Sequence, residues 1–192
     1  MARHGTKRRL LAFRLFVAAS MLASTTPARA HVEADMPDAV VEMEYRILLE
    51  FNPQDIKTLL KLGMVHYRQN KLPEAIEEFN RVLILAPDNV DALDSMGLVL
   101  LKQKKPAPAI ELFRRAATLQ PADSMVHFHL GQALEEIGDF PAAAKAYRIA
   151  LEKDGQAVAA GNKDHAPAIQ AALQQLQDKM KNAPRKAEGT RQ

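Results

Sequence analysis

LKLGMVHYRQNKLPEAIEEF, residues 60–79, carries a glycine, Gly63, among residues that otherwise favour a helix. Glycine inside a helix costs about 1 kcal/mol relative to alanine. Something must need the bare backbone at that point, and a second helix lying against it is the simplest candidate. Leu59, Leu62, Gly63 and His66 are spaced by threes and fours, which sets them on one face of a first helix, helix A. Ala75, Phe79 and Val82 do the same for a second, helix B. Between them, Asn70 suits the left-handed residue just past a helix end, and Pro73 suits the first turn of the next helix.

Moving outward from this stretch, the same residues return every 34 positions. Gly63, Gly97 and Gly131 keep that step, as do Ala75, Ala109 and Ala143, and Phe79, Phe113 and Tyr147. Pro53, Pro87 and Pro121 keep it too, and Pro87 and Pro121 are placed to stop helix B and turn the chain into the next unit. A fixed period of this length marks a solenoid, whose units bury their apolar faces only by stacking. Gly63 and Ala75 then provide small facing surfaces where helices A and B approach, with the Phe79 ring filling the space beside them. The turn chemistry returns as Gly138 and Pro141 in the third unit, whereas Lys104 and Ala107 depart from it in the second, with Pro106 and Pro108 nearby.

This pattern resembles the tetratricopeptide repeat, in which Trp, Leu-Gly and Tyr lie along helix A and Ala, an aromatic and Pro along helix B. Three copies are expected at residues 56–89, 90–123 and 124–157, with Gly155 standing where a proline would close the third and marking the end of the array. The resemblance implies an all-α α-solenoid of antiparallel helix pairs, a right-handed superhelix whose concave wall binds peptide segments of other proteins. Residues 31–55 precede the copies. There Val41, Tyr45 and Leu48 match helix B of a further unit, so residues 38–51 are expected to form a lone N-terminal capping helix. Residues 158–182 are read as a loop and a C-terminal capping helix. QAVAAGNKDHA, residues 156–166, gives the loop, Asp164 and Pro167 mark a helix start, and Ile169, Leu173, Leu176 and Met180 form its apolar stripe. Residues 183–192 are polar and read as a disordered tail.

The net charge of +3 is misleading. Residues 1–30 hold six basic residues (Arg3, Lys7, Arg8, Arg9, Arg14 and Arg29) and no acid, so the remaining chain has 20 basic residues against 23 acidic ones. An electrostatic case for nucleic acid therefore fails. A basic start, an apolar centre interrupted by Arg14, and Ala28-Arg29-Ala30 read as a secretory signal peptide cleaved before His31, with release into a bacterial periplasm and no membrane span afterwards. An uncleaved anchor and a mitochondrial presequence remain open alternatives. The chain has no cysteine, which excludes disulfides and thiolate metal sites.

The expected binding surface lies on helix A. Leu60, Met64 and Tyr67 fall off the Leu59/Leu62/Gly63 stripe, and the 34-residue shift adds Asp94, Leu98 and Leu101, then Phe128, Gln132 and Glu135. Leu60, Met64, Tyr67, Leu98, Leu101, Met125 and Phe128 make its apolar floor, with His129 and Gln132 beside it, flanked by Lys57, Lys61, Arg68 and Lys102 towards the first units and by Asp94 and Glu135 among the later ones. Packing between neighbouring helices accounts equally for Leu60 and Leu98, whereas Tyr67, Met125 and Phe128 are better placed for a ligand. A Lys/Asn clamp for C-terminal carboxylates, found in one subfamily, is not supported, because Leu60, Met64 and Asp94 stand at its places. His127 and His129, two apart on a helix, point to different sides and cannot share a metal ion, so His127 is read, like His66, as a core residue. No nucleophile–base set, phosphate loop, cofactor motif or metal cluster is evident. The expected role is a non-catalytic module capturing a partner protein's peptide, in assembly or maturation of an envelope complex. The alternative is a self-associating scaffold, a homo-oligomer; copper held at a mature N-terminal His31 is a third and remoter reading.

Overall fold

A computed structural model of the protein describes residues 37–182, which form eight α-helices and no strand. The expected leader, residues 1–30 with its cleavage point before His31, lies outside the described residues, as does the tail 183–192. The chain divides into two compact units at Pro87/Asp88. The first holds α1 (Asp38–Phe51), α2 (Ile56–Arg68) and α3 (Leu72–Leu85). The second holds α4 (Val90–Lys102), α5 (Pro106–Leu119), α6 (Ser124–Glu136), α7 (Phe140–Ala159) and α8 (Ala166–Asn182).

The periodic glycines explain the pairing of α2 with α3, α4 with α5 and α6 with α7. A methyl group added to Gly63 would sit 2.5 Å from Cε1 of Phe79, and one on Gly97 equally close to Cε1 of Phe113. Gly131 stands in the same relation to the Tyr147 ring. The aromatic ring thus lies on the glycine itself rather than beside it, which corrects the sequence expectation: the space is kept open for a ring of helix B. Phe79, Phe113, Ala75, Ala109 and Ala143 are fully buried and Tyr147 is 1 % exposed.

Helix ends repeat as faithfully as helix faces. Asp55, Asn89 and Asp123 cap the three A helices, accepting backbone N–H bonds from Thr58 at 3.1 Å, Ala92 at 2.8 Å and Met125 at 2.9 Å. Such a cap contributes about 1 kcal/mol. At the other end, Asn70, Lys104 and Gly138 take left-handed φ values of 61°, 60° and 80°. Each N–H returns to the carbonyl three residues back, and the next N–H to the carbonyl five back: Asn70 to Tyr67 and Lys71 to His66, Lys104 to Leu101 and Lys105 to Leu100, Gly138 to Glu135 and Asp139 to Leu134. These bonds satisfy the last carbonyls of each A helix. Lys104 makes the same turn without the side chain that suits it, so the second unit departs in residue type but not in backbone.

In the first unit α1 packs on α2 through Val41, Tyr45 and Leu49, while Leu48, expected in that stripe, is only half-buried. Glu42, 8 % exposed, is the polar anchor of this contact. It receives Lys71 Nζ at 2.9 Å and Arg46 at 2.7 Å, and His66 Nε2 lies 3.6 Å away. The Lys71 hydrogen bond holds the Glu42 carboxyl below its ordinary value, against the upward push of burial. His66 is a core residue, 2 % exposed, as read from sequence. His127 is not: it is half-buried with Nε2 3.1 Å from the Pro121 carbonyl, because Val126, 2 % exposed, takes the buried place on α6.

A second correction concerns the loop expected at residues 156–166. The helix passes Gly155; α7 runs on to Ala159, so only residues 160–165 of the expected loop are non-helical. Proline at this place removes a hydrogen bond and clashes with the preceding turn, whereas glycine only forgoes about 1 kcal/mol and lets the helix pass. The chain then returns to α7 through Asp154, which is fully buried. Its carboxylate accepts the His165 backbone N–H at 3.1 Å, His165 Nδ1 at 3.1 Å and Ser124 Oγ at 3.3 Å. Burial pushes this carboxyl up, but the hydrogen bonds from His165 and Ala166 outweigh it and hold it below the usual value. On α8, Ile169 and Leu176 are fully buried, Leu173 is half-buried, and Met180, the last residue of the expected stripe, is 44 % exposed.

One substitution should have opposite effects at two glycines. Gly97→Ala meets the Phe113 ring and is expected to lower stability by roughly 1–3 kcal/mol. Gly155→Ala meets nothing within 4 Å and is expected to raise it by up to about 1 kcal/mol. Lys104→Gly, which relieves a left-handed lysine, should also raise it, by about 1 kcal/mol. Urea midpoints of the three variants check this; shifts of one sign for both glycines would contradict the packing account.

Asp154 gives a pH prediction. A carboxyl with a depressed folded pKa contributes stability that is fully present above the unfolded value, about 3.9, and is lost as pH falls through the lower folded value. Asp154→Asn is therefore expected to cost about 1–3 kcal/mol at neutral pH, a deficit that narrows in acid below about pH 4. Thermal melts of both proteins across that range provide the measurement.

Candidate helix A binding faces

The helix A residues expected to hold a ligand fall on both units, and each unit offers its own face. On α2, Leu60, Met64 and Tyr67 are half-buried, and Lys57, Lys61 and Arg68 are exposed. The positions follow from register: Leu59, Leu62 and Gly63 turn inward, which leaves the residues one position on along the rim of the buried face. Burial raises the Tyr67 hydroxyl above its ordinary pKa, which keeps it neutral and able to donate a hydrogen bond. Lys61 places its ammonium 5.5 Å from the centre of the Tyr45 ring of α1, and Arg68 binds Asp38 Oδ1 at 2.7 Å. Two of the cations expected to meet a ligand are thus engaged with the N-terminal helix.

In the second unit, Leu98, Leu101 and Phe128 are half-buried and pack on the core around Phe113 and Tyr147. The Phe128 and Tyr147 ring centres are 5.6 Å apart. Phe128 is therefore tied to the fold more firmly than its place on helix A implies. Asp94 and His129 join α4 to α6, with Nδ1 2.8 Å and 3.0 Å from the two carboxylate oxygens, while His127 faces the Pro121 carbonyl. The two histidines serve separate contacts, in keeping with their spacing. Gln132 is half-buried and Lys102 exposed.

Glu135 is likewise not an open acid. It accepts the Tyr147 hydroxyl at 2.9 Å and is bound by Lys179 of α8. Burial pushes the Tyr147 phenol up, and the hydrogen bond and charge of Glu135 add to it. Met125 sits elsewhere: it lines a cavity of about 580 Å³ with Gln156, Lys163 and His165. The sequence reading missed that cavity along with Asp154 and His165. The one signal available was the missing proline at Gly155, which lengthens α7 and forms a wall of it.

Among the described residues, no three of His, Asp and Glu are grouped as metal ligands, and no helix is long and apolar enough to cross a membrane. Two half-buried apolar strips whose flanking charges are largely paired internally can hold apolar side chains by burial.

No curated protein matches the chain. Among solved structures, it is similar to the Sgt2 TPR domain from Aspergillus fumigatus, at 22 % identity and a TM-score of 0.61 over 72 % of this chain and 87 % of that one. It is similar to the type III secretion translocator chaperone SycD of Yersinia enterocolitica, at 17 % identity and a TM-score of 0.59 over 66 % and 86 %. It is also similar to the TPR2B domain of yeast Sti1 in its pHsp70 complex, at 15 % identity and a TM-score of 0.60 over 65 % and 97 %. At these identities the likeness shows the all-α fold. The tetratricopeptide repeat model itself matches residues 44–90, 60–124 and 95–158, in step with the ring-on-glycine pairs, and the chain belongs to the tetratricopeptide repeat family.

Proposed function

We propose that this protein is an exported, non-catalytic binding module that holds an apolar peptide segment of a partner protein on its helix A faces, in assembly or maturation of an envelope complex. Tetratricopeptide repeats generally mediate protein–protein interaction, and one similar structure, that of yeast Sti1, is a pHsp70 complex. The observation that carries the reading is the α2 strip: Leu60, Met64 and Tyr67 remain half-buried on a helix whose other apolar face is already filled. Apolar surface of this kind is favoured by a further covering, at about 25 cal/mol per Å². Arg68 and Glu135 are occupied by Asp38 and Lys179, so the recognised segment is selected by apolar shape more than by charge, and Met64 gives the strip an adaptable surface. The leader supports export, because its basic start, apolar centre and Ala28-Arg29-Ala30 are those of a cleavable signal.

Met64→Ala combined with Tyr67→Ala is expected to weaken capture of a partner from envelope extract by about tenfold or more, with helical content by circular dichroism unchanged. Undiminished capture would refute the α2 strip as the binding face.

The scaffold reading has one observation in its favour, the uncovered residues Val40, Met43 and Phe51 on α1, the last two 60 % and 59 % exposed. On the binding-module reading, protein from the envelope fraction begins at His31 and scatters light as a monomer at micromolar concentration. An intact Met1 would overturn cleavage, and a stable dimer would favour the scaffold.

A further inference from the structure

The departure at Gly155 has a product. Because α7 runs a turn past the point where α3 and α5 stop, residues 160–165 must return alongside it, and the start of α6 closes the third side of the 580 Å³ cavity. That volume is in the range of small-ligand sites. It belongs to the second unit, and its lining is unequal in charge. Lys153 and Lys163 contribute two cations; Asp123 contributes the one carboxylate, already used to cap α6 through the Met125 and Val126 N–H groups. Asn162 adds an amide donor, and Gln156 a second whose Nε2 also reaches Glu152 Oε1 at 3.3 Å. His165, 31 % exposed at its side chain, is fixed by the fully buried Asp154, which takes both its backbone N–H and its Nδ1. With Nδ1 against a carboxylate, Nε2 is left as the remaining polar atom of a ring that lines the cavity. Lys153 also reaches Glu152 Oε1, at 3.3 Å and 63 % exposed, a surface contact too weak to hold it from a better acceptor.

We infer that this cavity is a second binding site, for a ligand bearing carboxylate groups, held by Lys153 and Lys163 with hydrogen bonds from the amides, beside the His165 ring. The ligand chemistry follows from the charge balance: the lysines have no acceptor of their own within the lining, and carboxylate oxygens match ammonium and amide donors at once. Such a carboxylate could arrive as a small free dicarboxylate or as the chain end of a partner peptide.

Succinate titrated into the purified protein is the test, read by the ring-proton resonances of His165. Saturable movement is expected at millimolar succinate and not with succinamide, the neutral analogue. The double variant Lys153→Gln, Lys163→Gln should weaken succinate binding by about tenfold or more while helicity is kept. Displacement of succinate by a short peptide with a free C-terminus, but not by its amidated form, assigns the site to a partner's chain end; absence of displacement assigns it to a free dicarboxylate. Equal shifts with succinamide, no saturable shift, or full affinity in the double variant would overturn the inference. The Met64→Ala, Tyr67→Ala variant should titrate normally, so loss of the α2 face and loss of this site are separable.

Discussion

The contact on which the rest of the structure depends is an aromatic ring laid on a glycine. At Gly63, Gly97 and Gly131 the ring of the following helix occupies the volume a Cβ would take, and each ring is almost or entirely buried. The helix gives up about 1 kcal/mol of propensity at each glycine, and burial of a Phe side chain, worth roughly 1.5–3 kcal/mol, outweighs that loss. The contact also sets orientation. With the inner stripe of helix A committed to the ring, the residues one position further round are left on the rim, and these are the ones proposed to meet a partner.

The fold was legible in the sequence because its decisive contacts are local. A glycine and its ring lie 16 residues apart, inside one repeat, and three copies in register separate the pattern from coincidence. Helix-end chemistry was as legible but only half read. The turn residues Asn70 and Gly138 were recognised, whereas the caps Asp55, Asn89 and Asp123, which keep the same 34-residue step, were overlooked. Lys104 shows how much the repeat can enforce: bonds to Leu101 and Leu100 hold it left-handed although nothing in its side chain favours that conformation. The loop start at Gln156 was misread because a glycine without a following proline does not stop a helix.

The candidate site was less legible for the same physical reason in reverse. Which charges remain available depends on partners about 30 to 44 residues away, and spacing along one helix says nothing of them. Arg68 of α2 meets Asp38 of α1, His129 of α6 meets Asp94 of α4, and Glu135 meets Lys179 from the C-terminal helix. Each looked like part of a charged rim when its own helix was considered alone. The apolar members fared better, since Leu60, Met64 and Tyr67 owe their half-burial to register within α2. Phe128 lies between the two cases: its register places it on the rim, but the Tyr147 ring draws it towards the core.

The two surfaces arise from opposite uses of one rule. Where the repeat is obeyed, helix A presents a rim of modest apolar residues, and the pairing of nearby charges favours the proposed recognition by shape. Where it is broken, at Gly155, the helix overruns, the chain needs a buried carboxylate to bring it back, and Asp154 fixes His165 in the act of closing the loop. Asp154 has to remain ionised in a fully buried place, which burial alone would oppose; the hydrogen bonds from His165 and Ala166 make that possible. A lysine-bearing cavity beside the last repeat is thus the structural consequence of one residue that fails to stop a helix.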